Sequence, residues 1–153
     1  MAFPPSRIFL DTNIYILGAA HVNTVEARIL DWAGFAGNSS GSTEVEVVVS
    51  PGLFDEILRV SKRLYNKDRA GELVAFIWQR LRLHYVIIDR ADVERVVRDG
   101  RIPREDAEVY VTARNGQAAC FVSANHKLIR ALNESTGDFE CLTPDEFVGK
   151  YLR

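Results

Sequence analysis

The chain has 153 residues, 47% of them hydrophobic and 26% charged, with a formal net charge of -2. That length predicts a single domain over residues 1–153, able to bury about 70% of its unfolded surface without a disulfide or structural metal. No apolar stretch approaches the roughly 18 residues of a membrane span, and Met1-Ala2-Phe3-Pro4-Pro5 lacks the basic start of a secretion signal, so the expected location is the cytoplasm. Cys120 and Cys141 are far apart in sequence and are expected to be free, buried thiols on separate strands. The charge is unevenly spread: residues 1–58 carry -5, residues 59–130 carry +6 and the remainder carries -3. The basic middle fits either a set of solvated helix faces or a surface that meets the phosphates of a polyanion.

Taken in chain order, the pattern alternates strands and helices. Ile8, Phe9 and Leu10 form an unbroken apolar run, the signature of a parallel strand covered on both faces. It stops on Asp11, Thr12 and Asn13, any of which suits the N-cap of a following helix. Helices are expected over Ile14 to Ala20 and Val25 to Phe35, then a flexible serine-glycine loop at residues 37–42. Val45 to Val49 reads as a second strand ending at Ser50, with Pro51 opening a helix that Ser50 caps and that runs to about Tyr65. A helix from Lys67 to Leu83, a third strand from Tyr85 to Ile88 ending on Asp89, and helices over Ala91 to Arg98 and Pro103 to Arg114 follow. Ala118 to Val122 is the fourth strand and ends on Ser123. The chain closes with a helix from Asn125 to Leu132, a strand from Phe139 to Leu142 and a helix from Pro144 to Tyr151.

In open α/β sheets ligands sit beyond the carboxyl ends of the strands, so a carboxylate ending the first strand stands where chemistry occurs. Helical geometry at about 100° per residue adds two more acids. Glu56 lies on the edge of the apolar arc formed by Leu53, Ile57 and Val60, which suits either a reach toward the strand ends or an exposed pair with Arg59. Asp106 falls inside the arc of Ala107, Tyr110 and Val111, while Glu105 and Glu108 fall outside. A carboxylate on such a face needs the helix dipole or, more effectively, a nearby cation. Two carboxylates about 4 Å apart repel by about 4 kcal/mol at an effective dielectric of 20. If Asp11, Glu56 and Asp106 converge, magnesium or manganese with oxygen ligands relieves that repulsion and suits phosphodiester hydrolysis.

These residues resemble a known family. Ile8 to Asn13, then Ser50-Pro51-Gly52-Leu53-Phe54-Asp55-Glu56-Ile57-Leu58, then Asp106-Ala107, then Phe121-Val122-Ser123-Ala124-Asn125-His126-Lys127-Leu128 look like a PIN domain over nearly the whole chain. The resemblance implies a ribonuclease H-like, three-layer α/β/α sandwich with a mostly parallel central sheet. It implies a Mg2+- or Mn2+-dependent endoribonuclease in which Asp11, Glu56 and Asp106 are the metal-binding acids. Asn13 and Ser123 match the polar residues that support the first acid and contact the site. Asn125 stands where members with a complete site usually carry aspartate, and this neutral residue predicts one firmly held ion and a loose second. Arg59, Arg63, Arg101 and Arg104 are the candidates for guiding RNA.

Three functional classes follow. One is an endoribonuclease of the VapC toxin type, masked by a small antitoxin and paired as a homodimer. Another is a catalytically weakened PIN domain that binds RNA or protein without cutting. A third, an aspartyl phosphatase of the haloacid-dehalogenase type, wants a second acid two residues after Asp11, where Asn13 stands.

Overall fold

The computed structural model describes residues 2–36 and 44–152. The order of elements is β1 (Arg7–Leu10), α1 (Thr12–Ala20), α2 (Val25–Ala33), β2 (Glu46–Val49), α3 (Pro51–Leu64), α4 (Lys67–Arg80), β3 (Arg82–Tyr85), α5 (Arg90–Asp99), α6 (Arg104–Asn115), β4 (Cys120–Val122), α7 (His126–Ser135), β5 (Glu140–Leu142) and α8 (Pro144–Tyr151). The serine-glycine loop expected at residues 37–42 lies outside the described residues.

β1 has Ile8, Phe9 and Leu10 wholly buried. A strand without a solvent-facing side satisfies its backbone on both edges. β1 does so by pairing in parallel with β2 and with β4. β3 adds to β2 and β5 adds to β4, also in parallel, giving the order β3-β2-β1-β4-β5. The sheet is thus wholly parallel, and the strand order reverses direction at the β1–β4 junction. Right-handed crossovers put α1 to α4 on one face and α5 to α7 on the other. α8 returns to the first face and packs on α2. This is the α/β architecture expected from the sequence.

Pairs across the sheet fix its register. Arg7 bonds to Glu46, its register partner, with Nη2 2.8 Å from Oε1. Phe9 stacks on its partner Phe121 at 4.8 Å between centroids, and Phe121 stacks on Phe139. Cys120 and Cys141 are free and buried. Their strands pair with Cys120 opposite Glu140 and Phe121 opposite Cys141, so the two thiols point to opposite faces. Helix starts use the expected chemistry: Ser50 Oγ accepts from Leu53 N–H, and Thr143 with Glu146 forms a capping box on α8.

The third strand differs from expectation. It spans Arg82–Tyr85 rather than Tyr85 to Ile88, because α4 ends at Arg80 and releases the chain three residues earlier. The apolar run Val86 to Ile88 suggests a strand buried on both faces, but β3 is an edge strand and Ile87 is exposed. Pairing continues one residue beyond it, with Val86 N–H donating to Val49 O at 2.8 Å. Asp89 ends no strand; it caps α5 by accepting from Ala91 N–H.

Two glycines test the packing in opposite directions. A Cβ at Gly18 in α1 would stand 2.7 Å from Leu30 Cδ1 and 2.9 Å from the Glu26 carbonyl oxygen. Gly18→Ala is therefore expected to cost about 2 kcal/mol and lower the thermal midpoint by about 6 °C. A Cβ at Gly71 in α4 would meet nothing within 4 Å, so Gly71→Ala is expected to stabilise by about 0.5–1 kcal/mol. Thermal unfolding followed by circular dichroism checks both signs.

Candidate active site

The reversal of strand order places β1 and β4 side by side at the point where α/β sheets open a crevice for ligands. Asp11 leaves β1 there, with its N–H donating to Val122 O at 2.9 Å. Its extended backbone makes it the N-cap of α1, and Oδ1 accepts from Thr12 N–H at 2.8 Å. The other oxygen faces β4: Ser123 Oγ donates to Asp11 Oδ2 at 2.7 Å. The capping role raised by the sequence is thus present, in a residue that also stands where β1 ends beside β4.

Ser123 is itself fixed. It is wholly buried, and its Oγ accepts from the N–H of Asn125 at 3.0 Å. That leaves the hydroxyl proton for the carboxylate. The side chain of Asn125 serves the following helix, its Oδ1 accepting from Leu128 N–H as the N-cap of α7. Asn13 is exposed in the first turn of α1, and among the described residues the Asp11 carboxylate accepts from Thr12 N–H and Ser123 Oγ.

The acids meet through their fields. Burial raises the Asp11 pKa above its ordinary value, the hydrogen bonds from Ser123 and Thr12 pull it back, and the Glu56 carboxylate raises it further. Asp106 is raised by burial, then by Glu105 and Asp11, against an opposing pull from Lys127. It is half-buried rather than enclosed, because it lies in the first turn of α6, a helix start without a side-chain cap bond. Glu56 is half-buried on α3. Among the described residues, Asp11, Glu56 and Asp106 form no salt bridge, and the exposed pair of Glu56 with Arg59 does not occur.

Asp11 therefore stands in the field of both other acids, but the three do not close into a cage. Among the described residues no three His, Cys, Asp or Glu side chains are grouped closely enough to hold an ion between them. The donor set still fits magnesium or manganese. Such ions keep several waters and take one or two protein carboxylates, for which Asp11 and Asp106 would be the candidates. Among the described residues, the buried hydroxyls of Thr12, Tyr15 and Ser61 have no hydrogen-bond partner, the first two of them on the helix that Asp11 caps. Burial and the Asp11 charge push the Tyr15 phenol upward. Sequence reasoning missed Tyr15, although it lies four residues after Asp11 on the same helix face, and missed Lys127 as the cation opposite Asp106.

The arginines divide. Arg59 and Arg63 line a groove between α3 and α4. Arg104 is the exposed first residue of α6, two before Asp106, whereas Arg101 is bonded to Asp99 at 2.6 Å.

The raised carboxyl of Asp11 has a stability consequence. Folding favours its protonated form, so its charge costs stability above the raised pKa and costs nothing below the unfolded value near 4. Metal-free Asp11→Asn is expected to melt above wild type at about pH 8, with the gain shrinking as pH falls toward 4. Differential scanning calorimetry across that range reads the trend.

A family model described as PIN domain matches residues 7–127. No curated protein matches the chain at a significant level. Among solved structures, VapBC2 from Rickettsia felis bound to a DNA fragment from their promoter is 13% identical with a TM-score of 0.60, covering 90% of this chain and 98% of that one. A toxin-antitoxin complex from Klebsiella pneumoniae is 14% identical with a TM-score of 0.56, covering 87% and 98%. At these identities the likeness speaks for the fold. The family model runs from the first residue of β1 to the start of α7 and includes Asp11, Glu56, Asp106 and Ser123; the chain belongs to the PIN domain family.

Proposed function

We propose that this chain is a Mg2+- or Mn2+-dependent endoribonuclease, the cytoplasmic toxin of a toxin-antitoxin pair. The observation that carries this reading is the Asp11 carboxylate: half-buried at the β1–β4 junction, held on one oxygen by Ser123, and facing other acids without a salt bridge among the described residues. The two similar solved structures are named as VapBC2 and as a toxin-antitoxin complex, which favours a small antitoxin as partner; a homodimer belongs to the same proposal.

Each residue then has a task. Asp11 and Asp106 hold the ion, and Glu56 orients the attacking water or helps to hold the ion. When bound, a divalent ion there polarises a phosphate and makes a coordinated water more acidic. Ser123 keeps Asp11 Oδ2 aimed, and the Asn125 N–H keeps the Ser123 hydroxyl aimed in turn. Asn13, at the exposed start of α1, contributes a polar rim. Arg59, Arg63 and Arg104, with Arg101 shared by Asp99, draw the RNA backbone toward the acids.

A second reading, a PIN domain that binds RNA or protein without cutting, draws on Asn125. That residue brings no negative charge, and its Oδ1 already caps α7, so it adds little to a second ion.

Calorimetric titration of manganese, run beside cleavage of a labelled structured RNA, separates the two readings. Wild type is expected to bind metal and cut. Asp11→Asn and Asp106→Asn are expected to lose both, and Ser123→Ala to lose about 10- to 100-fold in metal affinity. Metal-dependent cleavage that survives in Asp106→Asn would overturn the assignment of the ion's ligands. A wild type that binds RNA but takes up no manganese at millimolar concentration would leave the binding module.

A further inference from the structure

Three aromatic rings gather where α3, α4 and β3 meet. Phe54 stacks on Trp78 with centroids 5.2 Å apart and planes 14° from parallel. Tyr85 completes the group, 6.5 Å from Phe54 and 5.6 Å from Trp78. Phe54 is buried, but Trp78 is 51% and Tyr85 43% exposed, and Ile87 just beyond is 78% exposed. An indole and a phenol packed together and left half in water form a patch rather than scattered exposure, and such patches mark interaction surfaces.

Position connects the patch to the site. Tyr85 ends β3 opposite Val49, the last residue of β2, so the rings sit at the same end of the sheet as Asp11 and Ser123. A small cleft lined by Ser50, Gly52 and Ile87 opens at the end of β2.

Charge decides what the patch receives. The groove along the α3–α4 seam is lined by Arg59, Lys62, Arg63 and Lys67 against one acid, Asp55. None of the four cations is in a salt bridge among the described residues. Lys67, Gly71, Val74 and Trp78 fall on one stripe of α4 at helical spacing, so Lys67 and Gly71 of the groove share a helix face with the Trp78 ring. A second copy docking isologously here would bring like charges together. A single-stranded nucleic acid satisfies both halves of the surface, with phosphates on the cations and a base on an aromatic face. A duplex hides its base faces.

We propose that Phe54, Trp78 and Tyr85 form a base-stacking subsite for single-stranded RNA whose backbone follows the α3–α4 groove toward the strand ends. The subsite rests on the RNA-acting reading above, and its test is run without metal so that cleavage plays no part.

Fluorescence anisotropy of a labelled oligouridine of about a dozen nucleotides, with EDTA present, reads the binding. Trp78→Ala is expected to weaken it about tenfold or more, while Trp78→Phe retains most of it. Tyr85→Leu keeps apolar bulk without a π face and carries the same expectation as Trp78→Ala, should that variant fold poorly. Binding to an RNA duplex is expected to be unchanged by these variants. Lys62→Gln and Lys67→Gln are each expected to flatten the slope of log affinity against log salt by about 0.7. Wild-type affinity for oligouridine in both Trp78→Ala and Tyr85→Leu overturns the subsite. So does a dimer that dissociates in Trp78→Ala with RNA affinity unchanged, which would assign the patch to a second copy. A wild type that binds oligouridine through Trp78 yet never cuts in manganese upholds the subsite and rejects the nuclease.

Discussion

The 2.7 Å hydrogen bond from Ser123 Oγ to Asp11 Oδ2 joins the ends of β1 and β4, and the sheet is arranged so that this junction exists. β1 must be central because its side chains have no face that tolerates water, and β4 must be its neighbour for a serine to stand beside the carboxylate. The Phe9–Phe121 stack two residues below fixes the register that brings these polar ends level. A slip of one residue would turn Ser123 to the other face and leave the half-buried Asp11 carboxylate with the Thr12 N–H alone.

The same junction holds charge in tension. Asp11 and Asp106 are each pushed toward protonation by burial and by neighbouring carboxylates, and Lys127 opposes that push at Asp106. Structural acids in this chain are treated differently: Glu46 sits under Arg7, and Asp92 is bonded to Arg95 and Asn115. Titratable groups whose environment works against their charge collect where chemistry is done. Among the described residues Glu46, Asp92, Asp99 and Glu140 sit in salt bridges, whereas Asp11, Glu56 and Asp106 do not.

Much of this was legible in the sequence because it depends on local pattern. The apolar run of Ile8 to Leu10, the Ser50-Pro51 helix start and the polar stop at Ser123 are each signalled by a few adjacent residues, and all three lie where expected. β3 was misplaced because an edge strand needs less apolar character than a central one, so Val86 to Ile88 outweighed Arg82–Tyr85. Asp106 was read as more enclosed than it is, since a helical wheel gives direction but not how far the first turn overhangs the sheet. The meeting of Phe54, Trp78 and Tyr85 is invisible to any wheel, because it joins a helix, a second helix and a strand end. The same holds for the link between Asp11 and Ser123, which spans 112 positions.

That span bears on how the protein comes into being. Every strand pairing in a wholly parallel sheet joins distant parts of the chain, which slows folding relative to local architectures. During synthesis the ribosome releases β1 long before β4, and until β4 docks, Asp11 has neither its serine nor its neighbour on α6. A growing chain thus carries the acidic end of β1 without the surroundings that give it meaning. The assembled constellation belongs only to molecules whose translation has passed position 123 and whose sheet has closed.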